Sequence, residues 1–254
     1  TIDGKGNSIT GDGTGNGLAL VNASNVTVTN LTISNFSTGF FADPAIGLII
    51  DSINITDSTV GLDLYQINQS TVSNSNFERN NLALNINDSH FNIFQKNTLT
   101  GNGSGKGIYL QNANNATITN HTINNFSVGV YADPAVGIIF ENNTVANSTN
   151  TGLVFDQINL SSVKNNLFQQ NALGINLTNS YFNTLTNNLF NDTLNVIDTK
   201  NNTWNATYNC SISNWTNIIG GSCQGGNFWS NYSGVDDGSG AIPHNNGTDG
   251  IGDT

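Results

Sequence analysis

The feature that most constrains the fold of this chain is a repeat with a period of about 22 residues. A glycine opens seven of eight successive repeats, and an alanine takes its place once: Gly17, Gly39, Gly61, Ala83, Gly107, Gly129, Gly152 and Gly174. When the eight repeats are aligned, four columns hold only apolar residues. These columns, at repeat positions 2, 4, 12 and 17, begin with Leu18, Leu20, Val28 and Ile33 and end with Ile175, Leu177, Leu185 and Phe190.

Between these columns apolar and polar residues alternate, as in NVTVTNLTIS and NATITNHTIN. Alternation predicts short strands with one buried face, and the abundance of Asn, Thr, Ser and Gly disfavours helices. An antiparallel sandwich or a propeller would need hairpin turns about every 8–12 residues or repeats of about 40–50 residues. The sequence therefore predicts an all-β, right-handed, single-stranded parallel β-helix of about eight to nine coils, with an irregular C-terminal capping segment.

The first four repeats are followed by a copy of themselves. GFFADPAIGLII at 39–50 recurs as GVYADPAVGIIF at 129–140, and NDSHFN recurs as TNSYFN. We predict a β-helix domain at 1–195, with duplicated halves at 17–106 and 107–195, and a cap or tail at 196–254. The copies would lie four coils apart, about 19 Å at about 4.8 Å per strand. The proline of each ADPA turn cannot donate to a strand ladder and predicts a bent corner.

Repeat position 14 holds asparagine in six of the eight repeats. Stacked amides can hydrogen-bond along an axis, as Asn ladders do in cross-β stacks. Position 14 is two residues beyond an inward strand position, so strand parity predicts that it faces the interior. The alternative is that asparagine merely favours turns there. The predicted inward ladder consists of Asn30, Asn74, Asn120, Asn142, Asn165 and Asn187.

The charge of the chain excludes several classes of function. Charged residues make up 9% of the sequence, and the formal net charge is −11 with six Lys plus Arg. Nucleic-acid surfaces and polybasic membrane patches need clustered Lys and Arg, so we expect neither. No run of 18 apolar residues is present, and we expect no membrane insertion by this segment.

The stretch ASNVTVTNLTISNFSTG resembles the repeats of the NosD-like, nitrous-oxide-reductase maturation family and of archaeal cell-surface β-helix proteins. The tail GGNFWSNYSG…GTDGIGDT is similar to the segment that closes many surface proteins of methanogens, although its acidic run is thinner. The resemblance covers nearly the whole chain. It implies a parallel β-helix at the cell surface, and the repeat alone is shared with lyases, polygalacturonases, adhesins and tailspikes.

The sequence predicts no catalytic residues. One Arg and five Lys are scattered, whereas a lyase on this fold needs a basic residue beside its substrate. A glycosidase needs two carboxyls, about 6.5–9.5 Å apart in the inverting class. Asp43 and Asp133 are repeat equivalents four coils apart, while Asp63 and Asp156 are nearly equivalent and equally distant. The absence of Met and of a His pair gives no support for copper.

The C-terminal tail carries two further predictions. Cys210 and Cys223 close a short loop, which in a secreted chain indicates a disulfide. Carboxylates of the tail could bind Ca²⁺, an ion that prefers oxygen ligands. The candidate ligands are Asp236, Asp237, Asp249 and Asp253. We expect no other cofactor.

Asn-x-Ser/Thr sequons occur about 22 times, a density typical of glycosylated extracellular proteins. The glycosylation candidates are Asn25, Asn35, Asn115, Asn125, Asn147, Asn201, Asn205 and Asn214. Asn30, Asn120 and Asn142 also begin sequons, but the predicted inward ladder would bar a glycan from them.

The sequence therefore predicts an extracellular structural protein of the cell surface, glycosylated and self-assembling into a filament, sheath or surface layer. Its expected partners are other copies of itself, along or beside the axis, and glycans. The alternative is a β-helix protein that binds or cleaves carbohydrate. A binding face would expose aromatic residues in a row, and the candidates are Phe41, Tyr65, Tyr109 and Tyr131.

Overall fold

The computed structural model describes residues 1–205, 217–221 and 226–230. Within these ranges all regular secondary structure is β-strand. The strands stack as a right-handed parallel β-solenoid of about nine turns. Strands of successive coils pair in parallel within three long sheets. The predicted fold class is confirmed.

The strands are numbered in chain order. The first sheet contains β1 (Ile2–Asp3), β4 (Thr27–Thr29), β7 (Ile49–Asp51), β11 (Thr71–Ser73), β14 (Ile93–Gln95), β17 (Thr117–Thr119), β21 (Ile139–Glu141), β25 (Ser162–Lys164) and β28 (Thr184–Thr186). The second contains β2 (Ser8–Thr10), β5 (Thr32–Ser34), β8 (Asn54–Thr56), β12 (Asn76–Glu78), β15 (Thr98–Thr100), β18 (Thr122–Asn124), β22 (Thr144–Ala146), β26 (Leu167–Gln169), β29 (Leu189–Asn191) and β31 (Phe228–Trp229).

The third sheet has the longest strands. It contains β3 (Asn16–Ser24), β6 (Thr38–Ile46), β9 (Val60–Tyr65), β10 (Ile67–Asn68), β13 (Leu82–Asn87), β16 (Lys106–Gln111), β19 (Val128–Ala132), β23 (Thr151–Asp156), β27 (Leu173–Thr178) and β30 (Leu194–Asp198). A short pair, β20 (Ala135–Val136) with β24 (Ile158–Asn159), lies beside it. The bent corner predicted at each ADPA turn occurs between β19 and β20, whereas β6 runs through the first turn unbroken.

The four apolar columns form the core, as their periodicity predicts. The residues of columns 12 and 17 are all buried, from Val28 and Ile33 to Leu185 and Phe190. The repeat-opening glycines allow adjacent coils to approach each other. A Cβ added at Gly39 would lie 2.8 Å from the Gly61 carbonyl oxygen, closer than ordinary packing allows.

Asparagine is abundant because the corners of the coil require left-handed residues. Among the described residues, 27 non-glycine residues have positive φ, and 14 of them are Asn. Asparagine adopts this region at lower cost than most other residues, since its short polar side chain can hydrogen-bond locally. Turn preference therefore explains why position 14 is so often asparagine.

The prediction of an inward ladder at position 14 is wrong. Asn30, Asn74, Asn120 and Asn142 are exposed, Asn165 is half-buried, and of the six only Asn187, at the C-terminal end of the helix, is buried. These residues are left-handed, with φ of 53° at Asn30 and 59° at Asn120. A left-handed residue turns the chain between two strands, so the alternation of one strand does not continue across it. Position 15 takes the inward place instead.

The interior polar ladder lies at position 15. After Leu31 and Ile53 the column reads Ser75, Asn97, His121, Asn143, Asn166 and Asn188, and Asn227 extends it. A backbone N–H of one coil donates to the side chain of the next, as from Asn143 to Asn166 Oδ1 at 2.8 Å. The Asn143 Nδ2 donates back to the Ile118 carbonyl at 2.9 Å. Each buried amide is thereby satisfied on both sides.

Two other corners carry shorter inward polar ladders. In one, the Ser148 N–H donates to Asn171 Oδ1, and the Asn171 N–H donates to Asp192 Oδ1, both at 2.8 Å. In the other, the Ser161 N–H donates to Asn183 Oδ1 at 2.9 Å. The polar interior is therefore a set of axial hydrogen-bonded columns at the corners, around an apolar centre.

Part of the region after residue 195 continues the coil. Phe228–Trp229 adds a strand to the second sheet, and the Trp229 ring stacks on Phe190 with centroids 4.7 Å apart. The Trp204 ring packs against both aromatic rings, and its Nε1 donates to Asp198 Oδ2 at 2.7 Å. These contacts cover the apolar end of the core.

Candidate functional site

The outward side of the third sheet carries the densest group of aromatic and acidic side chains in the described part of the chain. Strand pairing places Phe41 beside Asp63, Asp63 beside Asn85, Asn85 beside Tyr109, and Tyr109 beside Tyr131. A second outward row, two residues further along each strand, includes Asp43, Tyr65 and Asp156, with Asp133 directly after β19. We call these residues, with Lys106, the acid–aromatic face.

Two tyrosines form the centre of the acid–aromatic face. The rings of Tyr109 and Tyr131 lie 5.7 Å apart, centroid to centroid, at an interplanar angle of 59°. The Lys106 Nζ lies 5.3 Å from one ring centroid and 5.6 Å from the other. Burial raises the pKa of both hydroxyls, and the carboxylate of Asp133 raises it further. Both phenols are therefore neutral hydrogen-bonding groups at neutral pH.

Carboxyl groups lie on both sides of the tyrosine pair. Burial raises the pKa of Asp63 and the charge of Asp43 adds to this, whereas a 2.8 Å hydrogen bond from Asn85 Nδ2 acts in the opposite direction. Burial, followed by the charge of Asp156, raises the pKa of Asp133. The Oδ1 atom of Asp156 is buried and has no protein partner. It is an acceptor whose hydrogen-bonding capacity the fold does not use.

The structure brings together two acids, Asp133 and Asp156, that the comparison of the two halves did not pair. By strand register, Asp63 is equivalent to Val154, and Asp156 is equivalent to Tyr65. The neighbour of Asp156 is Asp133 on the preceding coil, because these residues directly follow the paired Ala132 and Phe155. A register count over the strands, rather than a comparison of the halves, would have found this pair. No sequence pattern indicated that the Lys106 ammonium would lie over the two tyrosine rings.

Most of the predicted glycosylation candidates are accessible. Asn25, Asn35, Asn115, Asn147, Asn201 and Asn205 are exposed, Asn125 is half-buried, and Asn214 lies outside the described residues. Asn30, Asn120 and Asn142 are equally exposed, so burial does not bar a glycan from them and that premise is wrong. The buried ladder asparagines at 97, 143, 166 and 188 begin no sequon. Glycosylation itself stays a prediction.

The predicted disulfide of Cys210 and Cys223 and the predicted Ca²⁺ ligands Asp236, Asp237, Asp249 and Asp253 lie outside the described residues. Within the described ranges, no group of three or more His, Cys, Asp or Glu side chains is placed to hold a metal ion. No helix in those ranges is long and apolar enough to cross a membrane.

The chain belongs to the family described as periplasmic copper-binding protein (NosD), whose sequence profile matches residues 5–234. An envelope or extracellular location agrees with that description. A search of curated proteins found no match.

In the part of the chain that the structure describes, the donor set does not fit copper, which prefers thiolate, thioether and imidazole ligands. The sequence contains no Met. His121 is 2% exposed and its Nδ1 is engaged with the backbone of Asn97, while the His90 Nδ1 accepts a hydrogen bond from the Asn114 N–H. The two imidazoles belong to different corners of the coil, and neither is joined by a second soft ligand in the described ranges.

Several solved β-helix structures are similar to this chain. They include a periplasmic alginate epimerase, AlgG (TM-score 0.51, 17% identity), with 68% of this chain and 55% of that chain covered. The tailspike protein of E. coli bacteriophage HK620, in complex with a pentasaccharide, has a TM-score of 0.57 at 14% identity, with coverages of 71% and 41%. Endopolygalacturonase I from Stereum purpureum, complexed with two galacturonates, has a TM-score of 0.55 at 16% identity, with coverages of 72% and 69%. At these identities the likeness shows the fold, and this chain spans about half the length of the first two proteins.

Proposed function

We propose that this protein binds a carbohydrate chain along the acid–aromatic face, outside the cytoplasm. The observation that carries the proposal is the Tyr109–Tyr131 pair, covered by the Lys106 ammonium and next to the carboxyls of Asp133 and Asp156. Aromatic rings offer apolar faces to the C–H groups of a sugar ring, and carboxylates and phenols accept or donate hydrogen bonds to its hydroxyls.

The charge of the face favours a neutral glycan. Asp43, Asp63, Asp133 and Asp156 contribute four acidic groups against one Lys, in a chain of net charge −11. A polyuronate would be repelled by these carboxylates, since like charges brought together at an interface cost several kcal/mol. The named ligands of the structural neighbours include galacturonate and a pentasaccharide, and they support carbohydrate as the ligand class without fixing its charge.

Calorimetry with glycans of defined charge tests this proposal. We expect neutral oligosaccharides to bind and polygalacturonate to fail to bind at low ionic strength. Tyr131→Ala should weaken binding at least about tenfold, which is about 1.4 kcal/mol. Phe91→Ala removes an aromatic side chain that is 60% exposed elsewhere on the coil, and it should leave binding unchanged. Equal losses in both variants, or tight binding of polygalacturonate, would contradict the proposal.

The same experiment separates binding from cleavage. If the carboxyl pair Asp133 and Asp156 acts on a glycosidic bond, neutral oligosaccharides will be shortened in the presence of the protein, and Asp156→Asn will stop this. We expect the oligosaccharides to be recovered intact, as the sequence predicts for a chain without catalytic residues.

A second candidate function is self-assembly, and the first sheet favours it. On its outward side Ile49, Ile93 and Ile139 alternate with threonines along the axis, and each isoleucine is more than 40% exposed. Beside them, Leu160 and Phe182 are each 66% exposed. Exposed apolar surface of this extent is typical of an interaction site, and a second copy would present the same regular face.

Sedimentation at increasing protein concentration tests the second candidate. We expect lateral dimers or larger assemblies, and we expect Leu160→Asp with Phe182→Asp to shift them to monomers. Thr98→Asp, at an exposed position of the second sheet and away from this face, is the control. Monomers at every concentration would remove this candidate and leave the carbohydrate proposal unaffected.

A further inference from the structure

Two open grooves lie at the corner where the third sheet ends, one in each half of the molecule. The first, of about 310 Å³, is lined in part by Pro44, Gln66 and Asn68. The second, of about 470 Å³, is lined in part by Pro134, Gln157 and Asn159. These residues are repeat equivalents, so the duplication has produced the same groove twice, about 19 Å apart along the axis at about 4.8 Å per coil.

The groove residues are retained while the adjacent strand positions have changed. Gln66 and Asn68 recur as Gln157 and Asn159, whereas Asp63 and Tyr65 on the same strand pair correspond to Val154 and Asp156. Corner geometry accounts for part of this, because Gln66 and Gln157 are left-handed. Corner geometry does not explain why both positions hold glutamine, because glutamine has no particular tolerance of the left-handed region.

Each groove presents a fixed amide donor. The Asn68 Oδ1 accepts a hydrogen bond from the His90 N–H at 2.8 Å, and the Asn159 Oδ1 accepts one from the Tyr181 N–H at 2.8 Å. These bonds orient the two amides and leave each Nδ2 group without a partner in the described part of the chain. A donor held in place before binding loses little conformational entropy when a ligand accepts from it.

The lining of both grooves contains amides and small or apolar groups, and no charged side chain. Amides offer donors and acceptors without charge, which matches neutral sugar hydroxyls. Each groove adjoins the acid–aromatic face, since Asp43 and Asp133 directly precede the two prolines. The Gln157 Nε2 also donates to Asp133 Oδ1 at 3.3 Å. A ligand that lies along the face therefore passes both grooves.

We propose that the two corner grooves are paired subsites for one neutral polysaccharide chain, which binds along the helix axis and occupies both at once. This inference rests on the proposed carbohydrate-binding function and specifies its ligand as an extended polymer. Two equivalent sites on one rigid coil make the second binding event intramolecular, so a chain that spans both binds more tightly than one that reaches a single groove. The second groove is the stronger subsite, because Tyr181 adds an aromatic wall to it.

The affinity of a length series of neutral oligosaccharides, measured by calorimetry on protein without covalent glycans, tests the proposal. We expect a step of at least about tenfold in affinity when the chain becomes long enough to span about 19 Å. Asn68→Asp and Asn159→Asp keep the oxygen that the backbone N–H needs and remove the amide donor. Each should abolish the step and leave single-groove binding, with the larger loss from Asn159→Asp.

The controls distinguish the paired grooves from the face. Asn142→Asp adds the same charge at an exposed corner outside both grooves and should preserve the step. If Tyr131→Ala weakens all binding while the step survives both groove variants, the proposed function stands and the paired subsites are wrong. If the groove variants remove the step but Tyr131→Ala has no effect, the ligand uses the grooves and not the face. If affinity does not change with chain length, or if no neutral glycan binds, the paired subsites are wrong.

Discussion

The two halves of the coil, 17–106 and 107–195, have the same backbone conformation at their corners. They differ in the side chains of the interior and of the outer surface. Gly47 and Gly137 occupy equivalent left-handed corners, and a Cβ on either would lie 2.6 Å from the Oδ1 of Asn25 or Asn115, respectively. In the interior, by contrast, the position-15 column changes from Leu31, Ile53, Ser75 and Asn97 to His121, Asn143, Asn166 and Asn188. The backbone geometry of the corners was kept, while the position-15 column, which is apolar at Leu31 and Ile53 in the first half, is polar throughout the second half.

The outward side of the third sheet also differs between the two halves. Ala19 in the first half corresponds to Tyr109, and Phe41 corresponds to Tyr131. Both aromatic rings of the central pair therefore belong to the second half, with Asp133 and Asp156 beside them. The comparison teaches that the coil keeps the backbone conformation of its corners, while side chains on the strand faces and in the corner ladders change between the halves.

The largest expected effect comes from breaking the ladder of the second half. Asn143→Ala removes the acceptor of the His121 N–H and the donor to the Ile118 carbonyl, both buried. Each buried polar group left without a partner costs about 1–3 kcal/mol, so we expect a loss of about 3 kcal/mol in the free energy of unfolding. Urea denaturation measures it. Asn142→Ala, the exposed neighbour, should cost less than about 1 kcal/mol.

A similar loss in both variants would mean that the coil does not distinguish position 14 from position 15. Asn143→Ile sharpens the comparison, because it places the first-half residue, Ile53, in the second-half ladder. We expect it to remain destabilising, since the His121 N–H loses its acceptor and the Ile118 carbonyl loses its side-chain donor, while no neighbouring coil compensates.

The next effect is a loss of stability at acidic pH that arises from His121 in the second half. Burial lowers the pKa of His121 to about 4, against an ordinary value of about 6.5. Its stabilising contribution is therefore present above the unfolded pKa and is lost as the pH falls from about 6.5 towards 4, by about 3 kcal/mol in total. The first-half equivalent, Leu31, does not titrate.

His121→Asn tests this by placing the ladder's usual residue at the position. The difference in unfolding free energy between the variant and the parent should widen between pH 6.5 and pH 4, as the parent loses stability that the variant keeps. Because the carboxylates titrate alike in both proteins, their contribution cancels in the difference between the two unfolding free energies. Parallel curves over this range would show that His121 is not buried as described.

The sequence predicted the coil well because its four apolar columns repeat in every turn, from Val28 to Leu185 and from Ile33 to Phe190. The prediction that Asn30 and its equivalents face the interior was wrong. It continued the alternation of inward and outward side chains through a left-handed corner residue. A sequence pattern does not show on which side of such a corner the alternation restarts. The buried Ser75–Asn97–Asn143 column was visible in the sequence, but Leu31 and Ile53 at its start made it look less regular than the column beside it.

The candidate site was less predictable from sequence. The outward-facing aromatics Phe41, Tyr65, Tyr109 and Tyr131, which are half-buried, were recognised because strand parity is reliable within a single strand. The pairing of Asp133 with Asp156 was missed, because acids were compared between the two halves, whereas these two stand at position 5 of adjacent repeats. The parallel pairing of β19 with β23 brings these positions together.

A smaller effect of opposite sign is expected at Asp192, which ends the Ser148–Asn171 ladder of the second half. Burial raises the pKa of Asp192 to about 6, and its Oδ2 is buried without a partner. Its stabilising contribution is therefore present below about pH 4 and is lost as the pH rises through about 6. Asp192→Asn should remove this loss, because the Asn171 amide at the equivalent position donates to a carbonyl, that of Val145.

At pH 7 we expect Asp192→Asn to be more stable than the parent by about 1 kcal/mol, a discounted figure because the side chain is partly exposed. At pH 4 the two proteins should be nearly equal. Thermal melts at both pH values measure the difference. A variant that is less stable than the parent at pH 7 would indicate that Asp192 has a partner that the carboxylate alone can satisfy.

The smallest effect should be the same in both halves, because it belongs to the corners that they share. Leu160 has a φ of 54° and is 66% exposed, and its first-half equivalent, Gln69, has a φ of 52°. A left-handed residue with a Cβ costs roughly 1–2 kcal/mol, and asparagine reduces that cost through local hydrogen bonds. Leu160→Asn and Gln69→Asn should therefore each raise the free energy of unfolding by up to about 1 kcal/mol. Urea denaturation of both variants measures the gains. A gain at Gln69 with a loss at Leu160 would show that the leucine is covered in solution, as lateral self-association through this side of the coil requires.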